Sequence, residues 1–143
     1  MSLQGLHPRV PYPSTPQICY NIKMKKVILI LKSEALALLI ATILAYYFVG
    51  LSWWLFFVLL LFPDLFMVGY FKNSKIGATI YNIGHTYSIP ILLLGVFIFS
   101  NISILLPISI IWIAHISMDR VLGYGLKLDT NFKDTHLGRI GKK

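Results

Sequence analysis

Four long apolar stretches constrain this chain more than any other feature of its sequence. A helix needs about 20 apolar residues to cross the hydrocarbon of a bilayer, where every backbone polar group must be bonded internally. The mean hydropathy of +0.73 and the 57% of hydrophobic residues agree with such spans. The sequence therefore predicts an all-α integral membrane four-helix bundle, with the lipid bilayer as its partner. The predicted spans cover approximately residues 27–49, 53–71, 76–99 and 102–122.

Residues 1–23 precede the first span and contain four prolines. Proline disrupts a helix interior, so this segment is predicted to be a disordered tail. Met24, followed by two lysines, is interpreted as an alternative start, which makes residues 24–143 the transmembrane domain. Lys32 and Glu34 interrupt the first apolar run and no clear cleavage site follows it, so we expect a retained helix rather than a signal peptide.

The positions of the basic residues predict the orientation. They lie before the first span, between the second and third spans, and from Arg120 onward, whereas the other two connections are short and uncharged. Because cytoplasmic ends carry the excess of lysine and arginine, both termini are predicted to be cytoplasmic. The net charge of +8 is spread over these boundaries rather than along one stripe, so nucleic acid is not an expected partner. The sequence leaves the oligomeric state open, and a homo-oligomer remains one alternative.

Ionisable residues inside the apolar stretches are the candidate site. An intramembrane charge is costly and usually functional. Spacing places His115 and Asp119 on one helix face, four residues apart, where both can bind one ion. With Asp64 and His85 they form a mixed nitrogen and oxygen ligand set suited to zinc, manganese or iron. The alternative for each is a structural hydrogen bond to a neighbouring helix, which is the more common role of a lone buried histidine.

The glycine-rich residues after the fourth span predict a short polar C-terminal tail. If this tail folds back over the cytoplasmic mouth of the bundle, Asp134 and His136 add a carboxylate and an imidazole to the same cavity. They would then act as general acid or base. A solvated tail is an equally good interpretation of the composition.

Six short motifs surround the polar residues: Phe62–Asp64, Gly69–Tyr70, Tyr81–Tyr87, Trp112–His115, Asp119–Lys127 and Phe132–Gly138. Together they resemble a known bacterial membrane family, domain of unknown function 4260. The resemblance covers roughly residues 24–141 and implies a four-helix membrane architecture in the bacterial cytoplasmic membrane, without an established activity. A weaker similarity links the chain to small bacterial inner-membrane proteins described as metal-dependent hydrolases, and it serves as analogy.

Four functions fit these residues. The first is a divalent-metal hydrolase that acts on a lipid or other amphiphile with an ester or phosphoester bond. The second is a proton or small-solute transporter, although ionisable groups are nearly missing from the outer halves of the predicted spans. The third is a haem held by His85 and His115, which an estimated depth difference of roughly 7 Å disfavours. The fourth is a structural membrane protein without catalysis, so whether the chain is an enzyme stays open.

Overall fold

The computed structural model describes the backbone of residues 15–141 and the side chains of residues 22–141. The described chain is helical up to residue 122 and ends in a small hairpin, which confirms the all-helical prediction for the apolar region. Four stretches are long and apolar enough to cross a membrane: Ile22–Val49, Trp53–Phe71, Ser74–Ser100 and Leu105–Leu122. The elements are α1 (Thr15–Val49), α2 (Trp53–Leu60), a 3₁₀ helix (Phe62–Phe71), α3 (Ser74–Gly84), α4 (Ser88–Ser100), α5 (Leu105–Leu122), β1 (Asp134–Thr135) and β2 (Gly138–Arg139).

Helix α1 begins earlier than the sequence predicts. It starts at Thr15, within the segment 1–23 that was expected to be a disordered tail, while residues 1–14 of that segment lie outside the described residues. Pro16 falls in the first turn, where a missing N–H removes no intrahelical hydrogen bond. The helix can therefore extend back to this proline.

Two of the four stretches are not continuous α-helices, because each contains a proline whose ring clashes with the carbonyl four residues earlier. Helix α2 ends at Leu60, and from Phe62 the chain continues as a 3₁₀ helix with Pro63 in its first turn. The third stretch breaks between Gly84 and Ser88, two residues before Pro90. Both interruptions lie next to a predicted site residue.

Helix α5 lies at the centre of the described fold. Over α5, 56% of the span is buried, compared with 11–17% for the other three stretches. It packs against α1, α2 and α4. Its first half joins a cluster of buried hydrophobic side chains, here called the apolar cluster: Tyr46, Phe56, Ile110, Ile111 and Ala114.

A seam of glycines brings the 3₁₀ helix close to α3. A Cβ atom on Gly84 would lie 2.4 Å from the Phe66 ring, and one on Gly77 would lie 2.4 Å from the ring of Tyr70. Small residues at such seams let two backbones approach closely, which is a common device in membrane helix packing. The seam fixes the 3₁₀ helix, and thus Asp64, against the end of α3.

The C-terminal tail folds back onto the bundle as a hairpin. Strands β1 and β2 pair antiparallel, and Lys127 forms a bridge with Thr135. Asn82 of α3 anchors the tail, because its amide donates to the Lys127 carbonyl at 2.9 Å and its Oδ1 accepts from the Lys127 N–H at 2.7 Å. The sequence predicted a short polar tail but not these strands, which depend on pairings too short to leave a periodic pattern.

Candidate metal site

Two histidines and two aspartates meet where the 3₁₀ helix, the end of α3 and the second half of α5 come together. The Nε2 atoms of His85 and His115 are 3.2 Å apart. Asp64 Oδ1 lies 3.8 Å from the first nitrogen and 3.7 Å from the second. Asp119 Oδ2 lies 3.7 and 3.9 Å from the same two nitrogens. The four residues chosen from the sequence are thus brought together.

This convergence removes the depth difference estimated between the histidines. His85 lies where α3 ends, so its side chain is not restricted to the face of a continuous helix. The 3₁₀ helix also rises about 2.0 Å per residue instead of 1.5 Å, which moves Asp64 to roughly 16 Å from Lys72 rather than 12 Å. The two interruptions therefore bring side chains from three elements to one level.

The distances fit a divalent ion bound by three residues. At the usual metal–nitrogen distance of about 2.0–2.1 Å, nitrogens 3.2 Å apart subtend about 100° at the ion, close to tetrahedral. Ligand atoms of Asp64, His85 and His115 all lie within 4.8 Å of one another. The Asp64 spacings exceed the roughly 3.4 Å of ideal tetrahedral geometry by a few tenths of an ångström. Two histidines and one carboxylate leave a coordination position open for water or substrate.

Hydrogen bonds and stacking hold His85 with Nε2 toward the cluster. Its Nδ1 lies 2.9 Å from the Tyr81 carbonyl oxygen. Because a carbonyl can only accept, Nδ1 carries the proton in the neutral ring and Nε2 presents a lone pair. The ring also stacks on the Tyr81 ring, with centroids 3.6 Å apart. A second partner that fixes the tautomer in this way is typical of metal-binding histidines.

His115 is 1% exposed, and its Nδ1 is buried without a hydrogen-bond partner among the described residues. Its Nε2 faces the cluster, so the ring contributes one nitrogen there. A buried, unpaired nitrogen costs free energy. The cluster has to compensate that cost.

The broken helix exposes backbone carbonyls beside the site, and two side chains of α5 satisfy them. Trp112 donates from Nε1 to the Gly84 carbonyl at 2.7 Å, and Arg120 donates from Nη2 to the His85 carbonyl at 3.1 Å. Irregular backbone at membrane depth is tolerated where protein groups satisfy it. Trp112 and Arg120 therefore position the backbone that carries His85.

Asp119 contacts the cluster but differs in role from Asp64. Tyr81 donates from its hydroxyl to Asp119 Oδ2 at 3.0 Å, so that oxygen already accepts one hydrogen bond. The Asp119 side chain is 13% exposed, whereas that of Asp64 is 40% exposed. One carboxylate is thus held in place by a buried tyrosine, and the other faces the opening of the site.

Asp134 and His136 lie apart from the cluster. Asp134 accepts from Thr130 and pairs with Arg139 at 3.6 Å. The His136 ring receives the Leu126 N–H at Nδ1 and lies 2.8 Å from Arg120 Nη1 at Nε2. Burial, and then the Arg120 charge, lower the pKa of His136, which favours the neutral ring. His136 lines a separate cavity of about 290 Å³ beside Glu34 and Arg120.

A cavity of about 420 Å³ opens beside Asp64 and is called the lysine-lined cavity. From the sequence, the lysines of this cavity predicted only the orientation of the chain, and its aromatic residues were not predicted to belong to the site. Lys127, a basic residue that follows two closely spaced glycines, was the sequence signal for this cavity, but only the folded tail places it beside Asp64. The lining includes Asp64, Tyr81, Asp119, Lys127, Phe132 and Lys133.

The same geometry disfavours a haem between the two histidines. Axial ligands of one iron need a porphyrin plane between them. Here the carboxylates of Asp64 and Asp119 lie within 3.9 Å of both Nε2 atoms, in the space that such a plane would need.

Comparison with known families agrees with the motifs at this site. Residues 28–140 match the model of a family described as "Domain of unknown function (DUF4260)". The chain belongs to this family. No curated protein and no solved structure shows a significant match. Membership in DUF4260 is thus shown over most of the chain, including all four residues of the cluster, and it brings no assigned activity.

Proposed function

We propose that this DUF4260 protein is a multi-pass protein of the bacterial cytoplasmic membrane with both termini in the cytoplasm. Its four long apolar helices support insertion. The basic residues at the ends beside the cluster, including Lys72 and Lys75, support a cytoplasmic position for that end. In this orientation the cluster lies in the inner half of the bundle and the hairpin covers it from the cytoplasm.

Within that membrane we propose a divalent-metal-dependent hydrolase. The observation that carries this proposal is the meeting of two imidazole nitrogens and two carboxylates. The His85 Nε2 lone pair faces the His115 Nε2 and the two carboxylates at 3.2–3.8 Å. A divalent cation among them would offset the charge of the two carboxylates and bind both Nε2 lone pairs, with the His115 proton then on Nδ1. Asp64, His85 and His115 are the proposed ligands, with zinc favoured over manganese or iron by the tetrahedral spacing.

In the proposed hydrolysis, the bound metal ion, Asp119 and Tyr81 would each have a separate role. A divalent ion at this site would polarise the oxygen of the scissile ester and make water a better nucleophile. Asp119 accepts the proton of the attacking water, and the Tyr81 hydroxyl orients the carboxylate that does so. The water oxygen bonds to the acyl carbon or phosphorus, the bond to the alcohol oxygen breaks, and the alcohol leaves with the proton.

Asp119 replaces the tail residues as the favoured general base. Asp134 and His136 were hypothesised as acid or base from the sequence, and that role requires the hairpin to shift toward the cluster. Asp119 already contacts both histidines. A base must lie within hydrogen-bond reach of the proton it takes, or one water away.

The decisive experiment measures metal in detergent-purified protein by elemental mass spectrometry. We expect about one equivalent of metal in the native chain. His115→Ala should lower the metal affinity at least about 100-fold, because losing a residue that only hydrogen-bonds to a ligand already costs about 10–100-fold. His136→Ala is the matched control and should keep its metal. Ester hydrolysis should disappear with the metal. Full metal retention in a folded His115→Ala protein would reject the proposal.

A proton or solute transporter is less well supported. Beyond the cluster, the centre of the bundle holds the apolar cluster around Tyr46 and Ile111, which offers no ionisable relay among its members except a tyrosine. A structural role without catalysis would leave bound ligands unchanged in both histidine variants. Proton flux in proteoliposomes that disappears in Asp64→Asn would favour the transporter instead.

A further inference from the structure

Lys127 is a buried cation at the entrance of the metal site. The residue is 4% exposed and lines the lysine-lined cavity together with Asp64 and Lys133. Its Nζ donates to the Phe132 carbonyl at 3.0 Å and lies 4.0 Å from the centroid of the Phe132 ring. Burial lowers the pKa of Lys127, which shows that the fold holds this charge at a cost. Such an arrangement needs an explanation beyond membrane orientation.

The ammonium keeps donors for a ligand. Lysine has three N–H donors, and among the described residues one of them is bonded, to a neutral carbonyl. No carboxylate in the described part of the chain forms an ion pair with Lys127 within 4.0 Å. The Asn82 amide fixes the Lys127 backbone through two hydrogen bonds. The charge is therefore positioned in advance, which reduces the cost of ordering it when a ligand binds.

The charge balance of the cavity favours an anion once a metal is present. Asp64 and Asp119 together offset the charge of one divalent ion, which leaves Lys127 and Lys133 as the excess cations of the lining. Charged acceptors such as phosphate oxygens make the strongest hydrogen bonds to an ammonium group. A phosphate group beside Asp64 fits both the excess charge and the open coordination position.

An apolar groove begins one residue away from Asp64. It measures about 300 Å³ and is lined by Leu59, Phe62, Pro63, Leu93, Leu105 and Trp112 among others. Pro63 directly precedes Asp64, and Trp112 lies about one turn before His115 on α5. A polar, basic cavity and an apolar groove are thus lined by neighbouring residues, Asp64 and Pro63, which is the arrangement an amphiphile requires.

We propose that the substrate of this site is a phospholipid, with its phosphate held by Lys127 and Lys133 in the lysine-lined cavity and an acyl chain in the apolar groove. This inference rests on the proposed hydrolase function and narrows its substrate class from esters in general to phosphate-bearing lipids. Lys127 supplies the specificity, and the groove distinguishes a lipid from a soluble phosphoester.

Binding can be measured separately from turnover and from metal loading. Zinc-loaded Asp119→Asn protein, which keeps the three proposed ligands but lacks the proposed general base, is titrated calorimetrically in an uncharged detergent with dihexanoyl phosphatidic acid and with dihexanoyl glycerol. We expect the phosphatidic acid to bind at least about tenfold more tightly, and Lys127→Met to remove about tenfold of that affinity, the usual effect of one charge-assisted hydrogen bond. Lys75→Gln, an exposed lysine outside the cavity, is the matched control and should change nothing.

The other outcomes separate the two proposals. Equal binding of the neutral glyceride, or an unchanged affinity in Lys127→Met, overturns the phospholipid assignment while measured zinc leaves the metal site intact. Glycerol 3-phosphate or inorganic phosphate binding as tightly as the lipid also overturns it, in favour of a soluble phosphoester. Loss of zinc in His115→Ala is determined independently, so a failed metal site is recognised by elemental analysis alone. Lys133→Met should cause a smaller loss than Lys127→Met, because Lys133 is exposed.

Discussion

The two halves of the bundle satisfy their buried polar groups in different ways. Around the apolar cluster, Thr42 and Ser109 donate to carbonyls three or four residues earlier in their own helices. Around the candidate metal site, several hydrogen bonds join elements that are far apart in sequence. Trp112 bonds Gly84 and Tyr81 bonds Asp119, with separations of 28 and 38 residues.

This difference has a mechanical consequence. A hydroxyl bonded within its own helix does not fix the position of the neighbouring helix. Packing of apolar surfaces therefore determines the helix arrangement around the apolar cluster. A hydrogen bond between elements fixes distance and direction, so the site half specifies one arrangement of the 3₁₀ helix, α3 and α5. Substitutions in the two halves should therefore affect metal binding and stability differently.

The largest effect is expected at the glycine seam. In Gly84→Ala the new methyl group meets the Phe66 ring at 2.4 Å, so the 3₁₀ helix must move away from α3 and carry Asp64 with it. We expect a loss of about 1–3 kcal/mol in the free energy of unfolding, as for other overpacked sites, and roughly 10–100-fold weaker zinc binding. Zinc titration and unfolding in mixed micelles measure the two effects.

Gly95→Ala is the matched control for that experiment. Nothing lies within 4 Å of a Cβ atom at Gly95, which is within helix α4. Alanine there should stabilise the helix by about 0.5–1 kcal/mol and leave zinc binding unchanged. Similar behaviour of the two variants would mean that the seam does not position Asp64.

A smaller effect on zinc binding, with a similar cost in stability, is expected from Trp112→Phe. The ring is largely kept, but the Gly84 carbonyl loses its buried donor. An unsatisfied carbonyl costs about 1–3 kcal/mol, and zinc affinity should fall about tenfold because the next residue is His85. The measurement is the same zinc titration, and unchanged affinity would show that Trp112 serves packing with Phe62 and Phe66 alone.

The smallest effect is expected in the other half, from Tyr46→Phe. Its hydroxyl donates to the Ser52 carbonyl at 2.8 Å, beside the turn between α1 and α2. Removing it should cost about 1 kcal/mol and leave zinc binding unchanged. A change in zinc affinity, measured on the folded variant, would contradict the independence of the two halves.

Much of the fold was predictable from local sequence. Apolar length determined the four stretches, and the cost of charge in hydrocarbon selected Asp64, His85, His115 and Asp119. The helix interruptions at Pro63 and Pro90 were less predictable, because a proline can produce a kink, a 3₁₀ segment or a break, depending on which neighbours satisfy the freed carbonyls. Here Trp112 and Arg120 satisfy them at the second break, and both are distant in sequence.

The sequence by itself determined that this chain contains four apolar helical stretches with ionisable residues inside them, since both facts follow from residue type and length. Only the tertiary structure decided that the end of α3 and α5 bring two imidazoles within 3.2 Å, with Asp64 of the 3₁₀ helix beside them. It also decided that the tail buries Lys127 nearby and that His136 lies elsewhere. The physical reason is the separation along the chain over which each effect acts. Hydrophobic length acts along the chain, whereas the bonds that define this site join residues about 30–45 positions apart, where helix periodicity carries no information.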